Sequence, residues 1–171
     1  MLDIVLSADG VQPAAKLTFE HSLVSISKWE QEHQKPFYGR EPKTAEETES
    51  YIRYMLLTPD PPLNFFKRFS IEQYQQVADY INSKATATTF GLEPEQRGRG
   101  ETITSELVYF WLVQFNIPFL PTETWHINRV MTLIKIAGIK NSKPKKMSAQ
   151  QRAEQFRALN EQRRRETGSA G

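Results

Sequence analysis

Residues 103–139, ITSELVYFWLVQFNIPFLPTETWHINRVMTLIKIAGI, decide the fold, and their centre is Thr124-Trp125-His126-Ile127-Asn128-Arg129. Upstream, Ile103, Leu107, Phe110, Trp111 and Gln114 recur at helical spacing. Downstream, Ile127, Val130, Met131 and Ile134 make a second stripe of the same period. Between them Pro118 and Pro121 break the helix, because proline lacks the backbone donor and clashes with the preceding turn. The pattern predicts two helices folded against one another, with Trp111 and Trp125 as the largest buried surfaces and Ile127, Met131 and Ile134 as core anchors. Residues 130–139 are apolar nearly all round, as suits a helix surrounded by its own domain.

Working outward, residues 1–9 and 16–20 alternate weakly around an Ala8-Asp9-Gly10-Val11 turn, predicting an N-terminal β-hairpin over about 1–20. An isolated hairpin is marginal in water, so its apolar side must lie on helices. Leu23, Ile26 and Trp29 predict a helix from Ser22 to His33, with Ser25 and Ser27 as candidate caps and Trp29 as a core anchor. Pro36 ends it, and Lys35-Pro36-Phe37-Tyr38-Gly39 reads as a turn presenting two aromatics. Thr44-Ala45-Glu46-Glu47 has the form of a capping box, a hydroxyl followed three residues on by a glutamate. The helix behind it carries Tyr51, Ile52, Met55 and Leu56 and stops before Pro59. Ser70-Ile71-Glu72-Gln73 opens another helix, with Ile71, Tyr74, Val77, Ala78 and Ile81 expected inside. Residues 85–89 should be extended, and 91–100 a surface loop.

The character changes after Ile139. From Asn141 onward eight basic residues stand against three acidic ones, a charge of +5; with +2 over all 171 residues, the preceding body is −3. The reading is therefore a mainly α, compact body over 1–140 and a basic linker and C-terminal helical arm over 141–171, partly flexible. Ser148 would cap the arm's helix, whose thin apolar stripe includes Phe156 and Leu159, with Arg163 one turn on and Arg164 beside it.

Little in the chain suggests chemistry. There is no cysteine, which removes disulfides, thiolate metal sites and cysteine nucleophiles. His21, His33 and His126 form no i, i+4 pair and have no acidic partner in a ligand motif. No G-x-S-x-G elbow occurs, Gly98-Arg99-Gly100 lacks the dinucleotide spacing, and Glu46-Glu47 sits on a first helical turn, where the helix dipole favours acids. No enzyme, cofactor or metal is expected. No signal segment or membrane span is read either. The basic arm admits phosphate contact, but Phe156 is its only aromatic and no groove-reading motif accompanies the charge, which disfavours a nucleic-acid partner.

An ordered set of segments is similar to one known family. They are Glu20-His21-Ser22-Leu23-Val24-Ser25-Ile26-Ser27-Lys28-Trp29-Glu30, Lys35-Pro36-Phe37, Tyr51-Ile52-Arg53-Tyr54-Met55, Tyr80-Ile81-Asn82, Glu101-Thr102-Ile103-Thr104-Ser105-Glu106, Phe115-Asn116-Ile117-Pro118, Trp125-His126-Ile127-Asn128-Arg129 and Pro144-Lys145-Lys146-Met147-Ser148. In this order, from about residue 17 to the end, the chain resembles the tail assembly chaperones of long-tailed, siphovirus-type bacteriophages. The resemblance implies a protein of the host cell cytoplasm, absent from the mature virion. It would bind and solubilise the tape measure protein and promote polymerisation of the tail tube. A frameshift-extended form would recruit the tail-tube protein, and a homo-oligomer is left open. Phe37, Tyr38, Phe156, Leu159, Arg163 and Arg164 are the partner-binding candidates. Two other readings stand beside it: a minor structural tail or connector subunit of the virion, and a basic-tailed nucleic-acid-binding regulator.

Overall fold

The computed structural model describes residues 1–8, 13–90 and 102–142, together with Ala153, Phe156, Arg157, Leu159 and Asn160. The fold is mainly helical, with a two-stranded antiparallel hairpin at the N-terminus. Two compact units are distinguished, Met1–Ile139 and Lys140–Gly171.

Strands β1 (Leu2–Leu6) and β2 (Ala15–Phe19) pair with Leu2 opposite Phe19 and Leu6 opposite Ala15. This register puts Ile4, Leu6, Leu17 and Phe19 on the buried face, as a period of two requires. The other edge of β2 is occupied as well. Leu57 donates its N–H to Thr18 O at 2.8 Å, Glu20 donates to Met55 O at 2.8 Å, and Phe19 bridges to Leu56.

Helix α1 (Leu23–His33) begins at neither candidate serine. Ser22 is the cap: its Oγ accepts the Ser25 N–H at 3.2 Å, and Ser25 Oγ accepts the Ser22 N–H at 2.9 Å. The two boxes expected further on do form. Thr44 and Glu47 start α2 (Ala45–Met55), and Ser70 and Gln73 start α3 (Ile71–Ile81), each pair satisfying two donors that a helix start leaves open. A short 3₁₀ turn over Phe65–Arg68 buries Phe65 and Phe66, the Phe65 ring 6.5 Å from that of Phe19 in the hairpin. Tyr51, Ile52 and Met55 are buried as expected. In α3 only Val77 is fully inside, while Ile71 lies in solvent at the helix entrance.

Helices α4 (Ser105–Gln114), α5 (Phe119–Thr122) and α6 (Ile127–Asn141) follow. The expected pairing of the two helices in this stretch is corrected: α4 packs chiefly on α1. Its rotation also differs from the predicted stripe. Ser105, Val108 and Leu112 face inward, Trp111 is half-buried and Phe110 is exposed. Glu30 of α1 anchors the start of α4 there: its Oε2 accepts the Ser105 N–H at 2.7 Å. In α6, Ile127, Val130 and Ile134 are buried as predicted, whereas Met131 is half-buried.

The largest buried side chain is therefore Trp29, fully inside, with its indole N–H on Glu47 O at 2.8 Å. An indole so enclosed removes roughly 150–250 Å² from water, worth about 4–6 kcal/mol at about 25 cal/mol/Å².

Candidate functional site

Of the six partner-binding candidates, Phe37 is a correction. It is only 6% exposed, its ring 4.2 Å from that of Tyr51 and 5.2 Å from that of Trp29. Its N–H is taken by Glu30 Oε1 at 2.7 Å, and Lys43 Nζ reaches its carbonyl at 2.6 Å and lies 4.0 Å from its ring centre. The turn folds in because Glu30 holds its backbone, and Phe37 is core. Tyr38, the next residue, is 45% exposed and remains on the surface. Phe156 and Leu159 are helical and exposed. Arg163 and Arg164 lie outside the described residues. Trp125 is half-buried and not a core anchor, for reasons that its position explains.

Trp125 forms one wall of a cleft of about 680 Å³. The cleft is assembled from separate segments: Met1 ahead of β1, Val24 and Lys28 of α1, Leu56 and Leu57 after α2, Tyr80 and Ser83 around the end of α3, and Trp125 with Arg129 around the start of α6. The guanidinium of Arg129 lies 4.1 Å over the Trp125 ring, covering one face of the indole.

The floor of this cleft is a closed polar network. His126 Nε2 lies 3.0 Å from Tyr80 O and 3.3 Å from Ser83 Oγ, while its Nδ1 accepts the Asn128 N–H at 3.2 Å. Asn128 in turn donates to Ser83 O at 2.7 Å. Glu20 accepts the Tyr80 hydroxyl at 2.6 Å and sits 3.1 Å from the Met1 amino group. Burial first, and the Glu20 bond second, push the Tyr80 hydroxyl well above its usual range.

Behind the floor His21 and His126 stand edge to face, ring centres 5.0 Å apart, and His21 Nδ1 pairs with the Tyr51 hydroxyl. Burial pulls the His21 pKa down to about 3, with smaller contributions from His126 and Lys43. Burial likewise raises Tyr51. The His21 carbonyl accepts the Ile127 N–H at 2.8 Å, which ties the start of α6 to the end of the hairpin. Among the described residues no group of acids and histidines is placed to hold a metal.

A second surface was not among the candidates. Helix α4 turns Phe110 and Val113 outward, 58% and 60% exposed, and α5 continues the face with Phe119 and Leu120, the latter 70% exposed. Tyr109 joins the two elements, its ring 5.1 Å from that of Phe119 and its hydroxyl donating to Glu123 Oε2 at 3.0 Å. Its signal in the sequence was the unbroken apolar run 107–113, more apolar surface than one buried side of a helix can use.

Among the described residues no helix is long and apolar enough to cross a membrane. No protein-family model, no curated protein and no solved structure matches this chain.

Proposed function

We propose that this chain is a tail assembly chaperone of a long-tailed bacteriophage, acting in the host cytoplasm and leaving before the virion is complete. Its client would be the tape measure protein, a long helical rod prone to aggregate, and the client-holding surface would be the exposed apolar face of α4 and α5. The observation that carries this reading is that face: Phe110, Val113, Phe119 and Leu120 stand in solvent on a folded framework. Contiguous exposed apolar surface of this kind is a common mark of a protein-binding site. It suits a helical client, whose own apolar residues at i, i+3, i+4 and i+7 can lie along it. The ordered likeness from residue 17 onward supports the same assignment. Phe156 and Leu159, exposed on a helical segment of the basic second unit, supply a further apolar contact. The frameshift-extended form that would bring in the tail-tube protein belongs to this proposal too.

The test is co-expression with the tape measure protein of the same phage, scored by soluble yield and co-purification. Wild type should solubilise the client and travel with it. The double substitution Phe110→Ser, Leu120→Ser should abolish both while leaving this chain folded. A client that remains insoluble and unbound beside wild-type chain ends the proposal. Solubilisation unaffected by the double substitution removes the α4–α5 face from the mechanism.

A further inference from the structure

The cleft beside Trp125 has a composition that the apolar face does not share. Its walls are apolar or aromatic (Val24, Leu56, Leu57, Trp125), and its floor is already hydrogen-bonded to itself through Ser83, His126 and Asn128. A ligand therefore meets apolar surface and whatever charge remains unanswered. Glu20 is answered, by the Tyr80 hydroxyl at 2.6 Å and the Met1 amino group at 3.1 Å. Two cations are not. Lys28 and Arg129 are exposed at the cleft, and among the described residues neither has a carboxylate partner; Arg129 rests only on the Trp125 ring.

From this we infer that the cleft is a docking site for a short acidic segment of a partner protein, one carrying a large apolar side chain next to a carboxylate. The apolar side chain enters between Trp125 and Leu56–Leu57, and the carboxylate pairs with Arg129 or Lys28 at the rim. A volume of about 680 Å³ is within the range of sites that enclose drug-sized ligands, and holds a few residues of peptide. Charge also argues against the other obvious polymer. The body up to residue 140 carries −3, which opposes a polyanion, while two local cations suffice for one or two carboxylates. This inference goes beyond the client reading and does not need the α4–α5 face.

The experiment is selection of a displayed random octapeptide library on the full chain. An enriched peptide is then titrated while the Trp125 indole N–H is followed by NMR. The expected peptides contain Asp or Glu beside Leu, Met or an aromatic, and they shift the Trp125 resonance. Lys28→Glu with Arg129→Glu, both surface changes, should weaken binding at least tenfold and favour a peptide whose acids are replaced by lysine. Phe110→Ser should leave the titration unchanged, which separates this site from the proposed client surface. The inference is overturned if no peptide enriches, if the enriched peptides lack acids, or if the double charge reversal leaves affinity intact. A uridine octanucleotide that moves the Trp125 resonance more tightly than any peptide would overturn it equally.

Discussion

Glu30 is 7% exposed, yet its carboxylate holds two backbone donors that are far apart in sequence: Phe37 N–H on Oε1 and Ser105 N–H on Oε2, each at 2.7 Å. Replacing it by alanine leaves both donors buried without an acceptor. An orphaned buried group costs about 1–3 kcal/mol, so two cost roughly 2–6 kcal/mol, with about 4 as the central value. Loss of a negative charge at the first turn of α4 adds about 0.3–1 kcal/mol. Glu30→Gln keeps one acceptor and turns an amide NH₂ toward the other donor, so about half the cost, roughly 2 kcal/mol, should remain. Urea unfolding followed by tryptophan fluorescence measures this directly. With an m-value of about 2 kcal/mol/M, Glu30→Ala should lower the midpoint by about 2 M and Glu30→Gln by about 1 M. Exposed Glu49→Gln is the control and should stay within about 0.5 kcal/mol of wild type. Amide exchange at Ser105 and Phe37 should accelerate in the same order. A cost below about 1 kcal/mol for Glu30→Ala would refute the claim that this carboxylate anchors the start of α4.

Two further outcomes follow from side-chain environment. His21 has its pKa held near 3 by burial, against about 6.5 when unfolded, so the unfolded chain binds the extra proton between those values. Its contribution is therefore complete above about pH 6.5 and is lost as the pH falls toward 3, with a slope of up to about 1.4 kcal/mol per pH unit. Thermal melts from pH 7 to 4 should show this slope in wild type and a shallower one in His21→Gln; equal slopes would contradict it. Phe37→Ala should cost about 3–5 kcal/mol in urea unfolding, as for a buried aromatic, whereas Tyr38→Ala next to it should cost less than about 1. Similar costs for the two would return Phe37 to the surface.

These cases also show where the sequence was readable. The boxes at Thr44–Glu47 and Ser70–Gln73 have the local form that names them, so the starts of α2 and α3 were visible. Ser22 was harder, because its reciprocal partner is Ser25 and not the glutamate or glutamine that marks such a start. The rotation of α4 could not be read from periodicity at all. Residues 107–113 are apolar throughout, and the bond that anchors the start of α4 comes from Glu30, 75 positions before Ser105. Phe37 misled for the same reason, since its neighbours in space, Trp29 and Tyr51, are brought to it by other helices. The cleft was invisible because Lys28, Leu56, Ser83 and Arg129 come from stretches far apart in sequence, and nothing local to any of them announces a shared wall.

The bonds from Glu30 to Ser105 and from the His21 carbonyl to Ile127 share a direction: in each, the acceptor is made first and the donor much later. On the ribosome, where chains grow at about 5–20 residues per second, the hairpin and α1 are complete several seconds before α4 and α6 exist. During that interval a carboxylate and a carbonyl destined for the interior must be satisfied by water, and the surface around Trp29 is only partly covered. The first ninety residues are thus a waiting scaffold, and the last two long helices of the body act as its closure. Translation that stalls between the two halves would leave a nascent species with its apolar face open.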